Sequence, residues 1–112
     1  MKGDRLGEFE EMVLLAAGVL GKEASAVSIQ AVLHERADRR VVLGSLYGAL
    51  DQLQRKGCLA SEVRDATQPR ERRKRFFALT ERGIETLAAV RQVRERLWAE
   101  LPMSCGTSTG RR

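Results

Sequence analysis

The chain has 112 residues, 43% of them hydrophobic, and a formal net charge of +5. That length and apolar content suit one globular domain and exclude a disordered chain. No apolar run approaches the ~18 residues that span a bilayer, and the longest patch, Met12 to Leu20, follows three glutamates rather than the positive start of a signal peptide. The expectation is a soluble, cytoplasmic, nucleoid-associated protein.

Residues 9, 12, 13, 16, 19 and 20 are apolar, the stripe of an amphipathic helix over Glu8 to Leu20. Glu8, Glu10 and Glu11 fall in its first turn, where negative charge favours the helix dipole, and Gly21 is its stop. Ser25 or Ser28 caps a second helix that buries Ile29, Val32 and Leu33 and ends near Ala37 or Asp38. Ser28 is followed three residues on by Ala31, so the spacing predicts no full capping box.

A third helix follows in "VLGSLYGALDQLQRKG", with Leu46, Ala49, Leu50 and Leu53 as its core stripe and Gly57 as its end. Packing alone would not choose two glycines and the only tyrosine for its first turns. The remaining positions carry Gly44, Ser45, Gly48, Gln52 and Arg55. Gly44 and Gly48 allow close approach to a groove or a phosphate. Gly44 is equally a helix-start residue, and Gly48 equally a close helix–helix contact. Ser45 lies where free helix amides can meet a phosphate. Gln52 has the donor–acceptor pair for an adenine edge, and Arg55 reaches phosphate or guanine. Tyr47 borders the core stripe, so its ring packs while its hydroxyl reaches outward.

The period then changes to two. Leu59 to Arg64 ("LASEVR") and Arg75 to Leu79 ("RFFAL") read as the strands of a hairpin. The connecting segment, 65–73, is polar, too long for a tight turn, and therefore projects. Pro69 to Arg75 holds five basic residues and one acid, whereas Asp4 to Glu11 is net acidic. Such a gathered positive charge repels itself unless a polyanion neutralises it, which points to nucleic acid.

Thr80 caps a fourth helix that runs to about Leu101. Its apolar residues, from Ile84 and Leu87 to Val90, Val93, Leu97, Trp98 and Leu101, cover more than one narrow stripe. A helix apolar over a broad arc is buried on more than one side, and a second chain is the natural cover. Pro102 to Arg112 is small and polar, and is expected to be disordered. Cys58, Cys105 and His34 are too few and too scattered for a metal site or a structural disulfide, and no nucleophile–base set or phosphate loop marks an enzyme.

Three helices, strand, basic loop, strand and long helix is the layout of a winged helix-turn-helix: mainly α, with a small β-hairpin and a C-terminal dimerisation helix. Residues 1–79 make the DNA-binding unit, 80–101 the dimerisation helix and 102–112 the tail. The segments "LGEFEEMVLLA" (6–16), "LGSLYGALDQLQRKGCL" (43–59) and "RRKRFFALTERGIETL" (72–87) resemble the PadR family of transcriptional regulators. The resemblance implies a homodimeric bacterial repressor without a cofactor. Its DNA contacts fall on Ser45, Tyr47 and Gly48 and on the wing basics Arg72, Arg73 and Lys74; Arg70, in the same basic run, is a further DNA-binding candidate by its charge. The resemblance also implies dimerisation through the C-terminal helix (Val90, Val93, Leu97, Trp98, Leu101) together with the N-terminal one (Phe9, Met12). Some members of the family sense small aromatic effectors at the dimer interface, and Trp98 is the residue suited to stack on one; the alternative is that Trp98 simply packs across the dimer. Gly48 and the "PRERRKR" wing depart from the common family pattern. The rival classes are a winged helix used only for protein contacts and a single-strand binder using "KRFF" as a stacking platform.

Overall fold

The computed structural model describes residues 5–65 and 73–102. Arg70, Arg72, Cys105 and the expected tail from Met103 on lie outside the described residues. The elements are α1 (Glu8–Leu20), a 3-10 turn (Gly21–Glu23), α2 (Ala26–Ala37), α3 (Leu43–Arg55), β1 (Leu59–Arg64), β2 (Lys74–Leu79) and α4 (Glu81–Glu100). The fold is mainly helical with one antiparallel hairpin, a winged helix.

Helices α1, α2 and α3 enclose the core. Val13, Leu14, Ile29, Leu33, Leu46, Leu50 and Leu53 are fully buried, and Phe77 of β2 closes one side. Helix α2 does begin with a capping box, contrary to the expectation from spacing. Ser25 Oγ accepts from Ser28 N at 3.2 Å, and Ser28 Oγ accepts from Ser25 N at 2.8 Å. The reciprocal partner is a second serine three residues after the cap, where Glu or Gln is the usual signal. Helix α2 ends at Asp38, which takes the left-handed conformation (φ 53°). Gln30 Nε2 then donates to the Val41 carbonyl at 2.7 Å, which fixes where α3 starts relative to α2.

Strands β1 and β2 pair from Leu59 opposite Leu79 to Arg64 opposite Lys74. Strand β2 has a second neighbour that the sequence did not announce. Ser25 bridges Phe76, and Phe77 N donates to the Ala24 carbonyl at 2.8 Å. The hairpin is thus tied to the start of α2 on one side, while toward its far end Val63, opposite Arg75, and the neighbouring Glu62 and Lys74 are exposed.

The start of α4 is locked to the α3–β1 turn. Thr80 Oγ1 donates to the Gly57 carbonyl and accepts from Gly83 N at 3.0 Å, and Thr80 N donates to the Cys58 carbonyl at 3.0 Å. Gly83 is buried there, and a Cβ on it would run into the Cys58 carbonyl. Cys58 itself is a buried free thiol. Farther along, Leu87 packs on the core, and every residue from Arg91 to Glu100 is exposed. Arg94 pairs with Glu11 at 2.7 Å, holding α4 beside α1.

Candidate nucleic-acid interface

Helix α3 has two faces. Leu46, Ala49, Leu50 and Leu53 are buried, while Gly44, Ser45, Tyr47, Gly48, Asp51, Gln52 and Arg55 are exposed. Gln54, between the faces, donates to Ser61 Oγ at 3.0 Å and so ties α3 to β1. All five candidate positions on this helix, Ser45, Tyr47, Gly48, Gln52 and Arg55, therefore lie on one solvent-facing surface. Tyr47 is 49% exposed, with its ring at the border of the core as its sequence position suggested.

The structure separates the alternative readings of the glycines. A Cβ at Gly44 or Gly48 would meet nothing within 4 Å, and neither has a positive φ. Gly48 is therefore not a helix–helix contact, and no backbone conformation demands glycine at either position. Val42, the N-cap, supplies no side-chain hydrogen bond, so the first-turn amides have no side-chain cap.

Arg73 and Lys74 are exposed, and Arg73 Nε lies 3.2 Å from Asp65 Oδ1. That pair is largely solvated, so it leaves Arg73 available. Arg64 stacks over the Phe76 ring at 3.9 Å. Phe77 is 2% exposed, so "KRFF" does not offer two free aromatic faces to bases.

Lys56 is withdrawn from this surface. It pairs with Glu10 at 2.6 Å, both side chains 16% exposed, and the same Glu10 oxygen accepts from Gly7 N at 3.0 Å. Sequence reasoning passed over Asp51 and Arg40. Asp51 is on the exposed face of α3, and Arg40 is exposed two residues ahead of the N-cap of α3. The helical spacing of Asp51 from Gly44 and Gly48, and the run "ADRRVV" before the helix, were the signals available for them.

Of the candidate dimerisation residues, Phe9 and Met12 are half-buried against the core of their own chain, and Arg39 covers the Phe9 ring at 5.2 Å. Arg39 also donates to Glu8, which holds that carboxyl below the usual carboxylate range. Val90 is half-buried, while Val93, Leu97, Trp98 and Leu101 are exposed, Trp98 by 72%. Arg94, Leu97, Trp98 and Leu101 line one shallow cleft.

The model of the transcriptional regulator PadR-like family matches residues 18–89, from the end of α1 to the middle of α4. The chain belongs to the PadR-like family of transcriptional regulators. Among solved structures, this PadR-family chain is similar to a PadR-like transcription factor from Bacteroides fragilis. The two share 30% identity over 80% of this chain and 82% of that one, with a TM-score of 0.68. It shares the fold of a PadR family regulator from Clostridium difficile R20291, at 20% identity, 80% and 91% coverage and a TM-score of 0.65. It also shares the fold of Bacillus subtilis PadR, solved in complex with operator DNA, at 18% identity, 72% and 45% coverage and a TM-score of 0.62. No curated protein matches the chain. Among the described residues, no helix is long and apolar enough to cross a membrane.

Proposed function

We propose that this PadR-family regulator is a homodimeric repressor that binds a pseudo-palindromic operator in double-stranded DNA. The observation that carries the reading is the exposed face of α3, polar and bared by two glycines that no contact within the protomer requires. Each protomer sets α3 into a major groove. Ser45, Tyr47 and the first-turn amides meet phosphate, Gly48 admits close approach, and Gln52 and Arg55 reach base edges or backbone. The wing basics Arg70, Arg72, Arg73 and Lys74 lie along the neighbouring backbone or minor groove. The operator-bound Bacillus subtilis PadR, which shares the fold, supports this reading.

The apolar residues left exposed on α4, among them Val93, Leu97 and Trp98, support a dimer closed by this helix with the start of α1, where Phe9 and Met12 lie. Residues 80–101 then act as the dimerisation segment and the chain up to Leu79 as the DNA-binding unit. Exposure of Trp98 beside Arg94 and Leu97 in a shallow cleft supports a role for its ring in stacking on a small aromatic effector.

Selection of genomic fragments bound by the full chain, followed by a salt titration, tests the proposal. A dimer making ~6–10 phosphate contacts loses about 10³–10⁵ in affinity between 50 and 200 mM salt. A flat salt response with no enriched duplex would favour a protein-contact module instead. Preference for single strands over duplex would favour the stacking alternative.

A further inference from the structure

The exposed face of α3 has a centre line. At about 100° per residue, the direction opposite the buried Leu46, Ala49, Leu50 and Leu53 runs through Gly44, Gly48, Asp51 and Arg55. Ser45 and Gln52 flank that line on one side and Tyr47 on the other. Its first two positions carry no side chain, so Asp51 is the first side chain to project from it. Asp51 is exposed and makes no hydrogen bond or ion pair with any described residue, although Arg55 lies one turn further on.

An acid at this point works against the charge of the molecule. The chain carries a net +5. A carboxylate presented to a polyanion is repelled by its phosphates unless a donor meets it. Among the described residues Asp51 caps no helix and has no polar partner, and its side chain is exposed. In the major groove the donors are amino groups. Cytosine presents N4–H₂ to a carboxylate, whereas adenine places its N7 acceptor beside its amino group, and guanine and thymine present acceptors.

We infer that Asp51 is a specificity-determining residue that accepts a hydrogen bond from a cytosine amino group in each half-site of the operator. This rests on the reading of α3 as the helix that enters the groove. The carboxylate adds little to affinity, because it also repels phosphate. It selects the base by penalising acceptor-only edges at that position.

The test is bound-fragment selection with the full wild-type chain, Asp51→Asn and Asp51→Ala at one salt concentration, then affinities for the selected site and its single-base variants. The wild type is expected to require one C·G pair in each half-site. Asp51→Asn moves the preference there to adenine, which asparagine pairs with through N6 and N7, and Asp51→Ala flattens it. Each variant loses about tenfold discrimination at that position, with the other positions unchanged. Unrelated duplex is bound as tightly or more tightly, since a negative charge has gone. Asp51 is exposed, so both variants melt with the wild type. An unchanged motif in the variants, or a uniform change in binding to all sequences, overturns the assignment while leaving α3 as the DNA-binding helix. A wild-type chain that enriches no duplex overturns that reading of α3, and the assignment with it.

Discussion

Gly83 and Gly48 are both helical glycines, and their surroundings are opposite. Gly83 lies against the Cys58 peptide, whose carbonyl carbon and Cα would be 3.2 and 3.3 Å from a Cβ placed there. Gly83→Ala forces the start of α4 off the turn that Thr80 holds, and is expected to destabilise the protein by about 1–3 kcal/mol in urea denaturation. At Gly48 a Cβ has open space. Gly48→Ala should stabilise the helix by up to ~1 kcal/mol through propensity alone, yet weaken duplex binding measured by fluorescence anisotropy. A variant that is more stable and binds DNA unchanged would remove Gly48 from the interface. The sequence marked both glycines as unusual but could not tell them apart, because the atoms that decide belong to a turn about 25 residues earlier in one case and to no part of the protomer in the other. Lys56 shows the same limit. In the sequence it is a solvated cation at a helix end, and its partner Glu10 is 46 residues away.

At the scale of elements, α1 was legible to the residue and α3 nearly so, because amphipathic period and end signals are local. The hairpin was legible from its change of period. The bridge from Ser25 to Phe76 was not, since a single residue of strand leaves no alternation to detect. That bridge anchors β2 to the start of α2, so the base of the hairpin is held by contacts that do not involve the basic side chains. Replacing Arg72, Arg73 and Lys74 together with alanine should therefore leave melting unchanged. It should also weaken all duplex sequences alike and flatten the plot of log affinity against log salt by about one unit for each phosphate no longer neutralised. Retained affinity with an unaltered salt slope would show that the wing does not touch the backbone.

At the scale of the whole molecule, α4 has two environments along its length. Its first turns belong to the core through Gly83 and Leu87, while Val93, Leu97 and Trp98 stand in solvent on the protomer. Leu97 is 61% exposed, so Leu97→Glu removes little packing within one chain. The expected result is an unchanged circular dichroism spectrum, a mass halved by light scattering, and duplex affinity sharply reduced because two half-sites no longer bind as one unit. A wild-type mass already equal to one chain would remove the dimer.

The sequence by itself determined the four helices, the hairpin, the gathering of positive charge before β2, and the polar character of one face of α3. Each of these depends on neighbours within a few turns or a few residues, where period, capping and charge act directly. Only the tertiary structure decided which glycine is a packing necessity, which cation is spent on Glu10, and that Asp51 stands unpaired among the described residues at the centre of the exposed face. Those outcomes depend on distances between residues far apart in the chain, and burial and pairing are set only when the helices close on one another.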